Sequence, residues 1–171
     1  MLKLQKFSEP DGALFKKLAF NEPVMRANMG RTFTEEEAEW FFRMILEINR
    51  ADSEFGYYKV FLETEDADVY IGMGALNPNE EEQGLEVEYM LLPDYWHQGY
   101  GTELLVLLME KARQQDPEVE LVGIVDPENV YSKRMLSRQG FAFVREFVNS
   151  DGGLAQVYKT NQSDTRKEEL Y

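Results

Sequence analysis

Between Leu85 and Val125 the hydrophobic spacing changes period twice. "LEVEYMLL" (Leu85–Leu92) alternates, with Leu85, Val87, Tyr89 and Leu91 on one face, and predicts a half-buried strand. "PDYWHQGYG" breaks the pattern, and "TELLVLLMEKARQQ" resumes it at helical spacing. "VELVGIV" follows, a short and mostly apolar run that suits a buried strand. A strand, a helix and a second strand in this order predict a parallel pair joined by a crossover. A chain built around such a unit needs helices to cover its sheet.

The flanking segments fill in the rest of the sheet. "LKLQKF" (Leu2–Phe7) alternates and reads as a first strand. "SEPDGALFKKLAF" places Leu14, Phe15 and Leu18 at helical spacing; Pro23 interrupts, and a second short helix carries Val24 to Met29. "TFTEEEAEWFFRMILEINR" predicts a helix capped by Thr34, with Glu37 at the capping-box position and Phe41, Ile45 and Ile48 on one face. "FGYYKVFLETE" and "DVYIGMGAL" read as two strands joined by a turn at Asp66. "DPENVYSKRMLSRQG" predicts a helix with Asp126 as N-cap, Pro127 in the first turn and Gly140 as its stop. "FAFVREFV" and "LAQVYKT" close the chain as a strand pair. The expectation is one α/β (α+β) domain over residues 1–160, followed by a polar tail over 161–171. Its mixed, mostly antiparallel sheet has about seven strands, with helices on both faces.

Charge and side-chain inventory narrow the chemistry. The 171 residues carry a net charge of −14, which argues against nucleic-acid binding and suits a cationic partner. There is no cysteine and one histidine, so disulfides, cysteine nucleophiles and a zinc site are not expected. No apolar run is long enough to span a bilayer, and "MLKLQKFSEPDG" lacks a signal-peptide layout; a cytoplasmic protein is the expectation.

The turn "YWHQGYGTELL" leads into a helix start, where unpaired N–H groups favour an anion and glycine lets a ligand approach the backbone. By itself it is neither a Rossmann fingerprint nor a Walker loop. In context, the order strand, "P-x-x-W-x-Q-G-Y-G-T-E", helix, strand, "N-x-x-S", helix, "G-F" resembles the GCN5-related N-acetyltransferase family. It is most similar to the branch of ribosomal-protein N-terminal acetyltransferases, over roughly Leu2 to Lys159. The resemblance implies acetyl-CoA as co-substrate, without a metal. It implies that Gln98, Gly99, Tyr100, Gly101 and Thr102 hold the pyrophosphate through backbone N–H groups. Met90, Leu91 and Leu92 then flank the pantetheine arm as an added strand would. Trp96 stands where the family usually has Gln or Arg. Asn129 and Ser132 occupy positions that contact pantetheine and the sulfur end of CoA.

Several roles stay open. Many relatives carry a tyrosine four places after Ser132 as the acid for the departing thiolate; here that residue is Leu136. Ser132 is the substitute that the resemblance implies, with Tyr131 second. Glu86 matches the family's proton-accepting position, and Glu88 leaves the same strand face where relatives of this branch have glycine. Glu88 either lines the acceptor pocket or is a wet-face residue. His97 reads as a neighbour of the CoA phosphates rather than a base, with Lys133, Arg134 and Arg138 offering charge or merely a solvated helix face. Trp40, Phe41 and Phe42 read as core, with one of them walling the acceptor site. The implied reaction is direct acetyl transfer to a primary amine, a protein or peptide α-amine first. A small polyamine, amino acid or aminoglycoside, or a non-catalytic acyl-CoA-binding module, are the alternatives. A homodimer is compatible with the sequence and is not specified by it.

Overall fold

The computed structural model describes residues 1–52 and 54–161. Its elements are β1 (Leu2–Lys6), α1 (Gly12–Ala19), α2 (Glu22–Asn28), α3 (Glu35–Ala51), β2 (Gly56–Glu63), β3 (Asp68–Asn79), β4 (Gly84–Leu91), α4 (Tyr100–Gln115), β5 (Leu121–Val125), α5 (Val130–Arg138), β6 (Ala142–Val148) and β7 (Leu154–Lys159). The seven strands form one sheet in the order β1-β2-β3-β4-β5-β7-β6. β4 and β5 pair in parallel at Leu85↔Leu121 and Glu86↔Val122, as the crossover unit predicts. β1–β2, β2–β3, β5–β7 and β6–β7 are antiparallel.

The chain divides into two compact units. The first comprises Met1–Asn77 and Glu88–Leu108. Alternation along β3 sends neighbouring residues to opposite faces. A Cβ on Gly74 would meet Leu104 and Leu108 of α4, while Ala75 joins the core formed with Phe15, Leu18, Ala38 and Ile45 of α1 and α3. Helices therefore cover both faces, as expected. The aromatic heart of this core is Phe15, stacked on Phe41 at 5.7 Å and on Phe42 at 5.8 Å. The Thr34–Glu37 capping box forms, and it starts α3 where the sequence places it.

Two polar devices fix the strands of this unit. The Asn49 side chain donates to Phe7 O and Tyr57 O at 3.0 Å and accepts from Tyr57 N–H at 2.8 Å. It thereby ties the end of α3 to β2. Gly56 (φ +134°) leaves room for it, since a Cβ there would lie 2.2 Å from Asn49 Oδ1. Lys59, buried on β2, forms an ion pair with Asp11 at 2.8 Å. Burial pushes the Asp11 carboxyl upward, but Lys59 and the N–H and hydroxyl of Ser8 outweigh it and hold it below its ordinary value.

The second unit comprises Pro78–Val87 and Met109–Tyr171, described as far as Asn161. Glu82, 5% exposed, accepts from Arg145 and pairs with Lys159 at 3.3 Å. This anchors the β3–β4 loop to β6 and β7. Leu136 of α5 is fully buried and packs where a Cβ on Gly123 of β5 would sit, 2.8 Å from its Cδ1.

Three boundaries differ from the sequence expectation. Pro23 does not precede the second helix; it lies in the first turn of α2, where a missing N–H costs nothing. α5 is capped by Asn129 rather than Asp126. Asp126 Oδ1 accepts from Glu128 N–H in a local turn, and Asn129 Oδ1 accepts from Ser132 N–H at 3.1 Å. β3 runs on to Asn79, beyond Leu76, where the predicted strand "DVYIGMGAL" ends. The tail expected over 161–171 lies outside the described residues after Asn161.

Candidate active site

The glycine turn is built by its own sequence. A short 3-10 turn at Pro93–Tyr95 ends β4 and redirects the chain. Trp96 Nε1–H then donates to Leu91 O at 2.7 Å, so the residue that departs from the family pattern pins the turn to the end of β4. Gln98 Nε2–H donates to Asp94 O at 2.7 Å, which occupies its side chain and leaves the backbone for a ligand. His97 (φ +59°) and Gly99 (φ +87°) have left-handed backbone, and both are exposed. A Cβ on Gly99 would meet nothing within 4 Å, so this glycine serves backbone conformation and open access rather than packing. Glu103 N–H donates to Gly99 O at 3.1 Å, making Gly99 the first acceptor of the 16-residue α4. The N–H groups from Gly99 to Thr102 are then those that no carbonyl within the helix can reach. Such a cradle at a helix start fits a pyrophosphate. Glu103 does not crowd it, since its Oε1 accepts from Leu2 N–H at 3.0 Å.

β4 presents its two edges differently. In the first unit, Leu92 N–H donates to Ile71 O at 2.8 Å, and Met90 O faces Gly72 of β3. By alternation Leu91 turns its backbone to the other edge. Of the three residues expected beside pantetheine, Leu91 alone can thus offer its N–H on that edge. Met90 and Leu92 face β3 and also pack against the core of this unit.

The two glutamates of β4 differ as well. Glu86 is half-buried and lies in register with Val122. Glu88 is the more perturbed. Burial pushes its carboxyl above the usual carboxylate range, while Tyr57 and Asn77 pull the other way without cancelling the effect. Tyr57 is held in place by Asn49 and packs edge-on against Phe41 at 6.2 Å. Sequence reasoning missed Tyr57 and Asn77 as neighbours of Glu88, because they lie on β2 and β3 and only the strand register brings them to it.

On α5, Ser132 is 4% exposed and sits one turn above its cap, Asn129. Asn129 therefore has the structural role of N-cap through Oδ1, with its Nδ2 still a possible donor. Tyr131 is exposed. Leu136 points into the interior, so a tyrosine at this position would face the core rather than a ligand. Arg134 and Arg138 are exposed, and Lys133 Nζ donates to Pro127 O at 3.1 Å.

The aromatic residues of α3, all read as core in the sequence, divide between core and surface. Phe41 and Phe42 pack in the core, whereas Trp40 is 61% exposed. Trp40 lines an open pocket of about 500 Å³ with Met29, Phe33, Glu36, Glu37, Phe41 and Arg43. Arg31, and after it the N–H of Thr34, hold the Glu37 carboxyl at about 2, so it stays ionised at the pocket edge. Phe41 is shared by this pocket and by the contact to Tyr57. Among the described residues no group of three or more His, Asp or Glu side chains is placed to hold a metal, and no helix is long and apolar enough to cross a membrane.

Comparison with known proteins agrees with this geometry. No curated protein matches the sequence. A Bacillus anthracis acetyltransferase of the GNAT family superposes with TM-score 0.75 at 18% identity, covering 92% of this chain and 93% of that one. The aminoglycoside acetyltransferase AAC(6')-Ib in complex with coenzyme A gives 0.73 at 21% identity, covering 98% and 99%. RimL, a ribosomal-protein alpha-N-acetyltransferase in complex with coenzyme A, gives 0.73 at 16% identity, covering 92% of each chain. At these identities the likeness establishes the fold. The family described as the acetyltransferase (GNAT) domain matches residues 1–142. This chain belongs to the GNAT family and is an acetyl-CoA-dependent acetyltransferase.

Proposed function

We propose that the enzyme transfers acetyl from acetyl-CoA directly to a primary amine, and that its acceptor is the α-amine of a protein or peptide. The observation that carries the cofactor half is the turn at residues 97–101, with its left-handed backbone, open Gly99 and helix-start N–H groups beyond the reach of the helix's own carbonyls. The pyrophosphate rests on the backbone of Gln98 to Thr102, and pantetheine runs along Met90–Leu92, with Leu91 N–H toward the thioester carbonyl. Asn129 and Ser132 contact pantetheine and the sulfur end of CoA. Glu86 takes the ammonium proton through water, the neutral amine attacks the acetyl carbon, the C–S bond breaks, and Ser132 protonates the departing thiolate and recovers its proton, through solvent, from the nitrogen that becomes the amide. The chain has no cysteine, so an acetyl-cysteine intermediate is ruled out. A thiol is acidic enough that its thiolate leaves with little help.

Similarity to RimL and the apolar pocket on α3, which has room for a side chain of a longer acceptor, support the peptide α-amine. A second reading, a small cationic amine, draws on the net charge of −14. A thioester-release assay across peptides, polyamines, aminoglycosides and amino acids separates the two. Peptides should give the highest kcat/KM, and Glu86→Gln should lower the rate mostly at low pH, where the amine is protonated. Turnover of polyamines without turnover of any peptide would reject the α-amine acceptor.

A further inference from the structure

Two side chains of the first unit form a pair that the reaction outlined above does not use. Glu88 offers a carboxyl on β4, and Asn77 stands beside it at the boundary of the same unit on β3. The Asn77 amide lies close enough to favour the ionised form of Glu88. Yet its Nδ2 is buried and closes no hydrogen bond of normal length and angle with any group among the described residues. A buried donor without an acceptor is costly, and native structures keep few of them. Glu88 meanwhile keeps part of its surface open, and Tyr57, fixed by Asn49, holds it from the side of β2. Glu88 lies two residues before Met90, about 6.6 Å along the strand, so it lies within reach of an acceptor whose amine meets the thioester there.

We propose that Glu88 and Asn77 are a two-point reader for an aminoacyl end: the Glu88 carboxylate receives the ammonium, and Asn77 Nδ2–H donates to the first carbonyl oxygen. This rests on the α-amine reading of the acceptor. The two groups of such a substrate suit adjacent partners, because the amine nitrogen and the carbonyl oxygen of one residue are only about 3 Å apart. A polyamine or an alkylamine supplies the ammonium and leaves the Asn77 donor idle. A site whose buried donor is satisfied by one substrate and not another discriminates strongly between them.

The test compares kcat/KM for an alanyl dipeptide amide and for sec-butylamine, which has the same branching at the amine carbon and no carbonyl. Asn77→Ala should lower the value for the peptide about tenfold more than that for sec-butylamine, mainly through KM, since one hydrogen bond is in play for the peptide alone and both substrates share what Glu88 loses with its Asn77 neighbour. Glu88→Gln should lower both, because both substrates carry an amine. The wild-type enzyme gives an independent reading: replacing the first carbonyl oxygen of the peptide by sulfur, a poor acceptor, should raise KM about tenfold. The KM for acetyl-CoA reports whether each variant is folded. Equal losses on peptide and sec-butylamine in Asn77→Ala, or an unchanged KM for the thio-peptide, would overturn the two-point reader while leaving the α-amine acceptor intact. Wild-type enzyme that turns over neither peptide overturns both.

Discussion

Gly99 allows the cofactor grip to be tested against a matched control. Gly99 and Gly140 have nearly the same left-handed backbone, φ +87° and +90°, and at neither would a Cβ meet any atom within 4 Å. Alanine at either position therefore adds strain without a clash. The strain is about 1–2 kcal/mol for a non-glycine residue in this region. In a chain of this size that lowers Tm by about 2–8 °C, and the two variants should lose about the same amount. Gly140 ends α5 and has no part in the proposed cofactor grip, so Gly140→Ala should bind CoA as the wild type does. Gly99→Asp adds a carboxylate on the open side of the cradle. At about 5 Å from a pyrophosphate, between the dielectric of water and that of a protein surface, one added charge costs about 1–3 kcal/mol for each phosphate charge it faces. CoA affinity should fall by one to several factors of about ten, with Gly99→Ala in between. Titration calorimetry with CoA, alongside thermal unfolding, reads both quantities. Equal CoA affinity for Gly99→Asp and Gly140→Ala would refute the assignment of this turn, whatever their stabilities.

Two further outcomes follow from buried contacts. Asp11→Asn leaves the buried Lys59 ammonium unpaired and should destabilise the protein by about 3 kcal/mol, the lower end for a buried pair. Because folding lowers the Asp11 pKa, the stabilisation exists above the ordinary value of 3.8 and disappears as pH falls through the folded value; urea unfolding from pH 7 to pH 3 should show the variant and the wild type converging. Leu136→Tyr restores the residue many relatives use as an acid, yet here the side chain faces Gly123 inside the protein. It should cost about 1–3 kcal/mol by overpacking and give no gain in thioester release; a faster enzyme would show that α5 can turn this position outward.

Secondary structure is legible wherever the information is local. The Thr34–Glu37 box, the alternation of β4 and the glycines at 99 and 101 each specify their own segment, and each appears where its pattern predicts. The one displaced cap has a local cause too. Asp126 and Asn129 are both good caps, one helical turn apart, and the Asp-Pro-Glu segment satisfies itself as a turn before the helix begins. The glycine turn proposed to hold the pyrophosphate is similarly readable, because a helix start needs no distant partner to attract an anion. What its residues do individually is less so. The side chains of Trp96 and Gln98 close the turn on Leu91 O and Asp94 O, bonds that no pattern in the sequence announces.

The acceptor side depends on contacts that no single segment carries. Glu86 and Glu88 are equivalent in sequence, two apart on one strand face, and any local argument treats them alike. Tyr57 meets Glu88 because β2 pairs with β3 at Tyr57↔Ala75, and that register ends at a bulge where β3 inserts Ile71 between the partners of Val60 and Phe61. The bulge lets each side of it bury its own apolar residues; a slip by one residue before it would send Tyr57 to the other face and leave Glu88 without its donor. Asn49 guards against such a slip, since it bonds Tyr57 at both N–H and carbonyl and needs Gly56 to do so. Gly56, Asn49 and Tyr57 thus position Glu88 from a helix end and two strands away. Substitution at Gly56 should therefore perturb acceptor kinetics before cofactor binding, because the chain of contacts from Asn49 ends at the β4 glutamate and not at the turn that follows it.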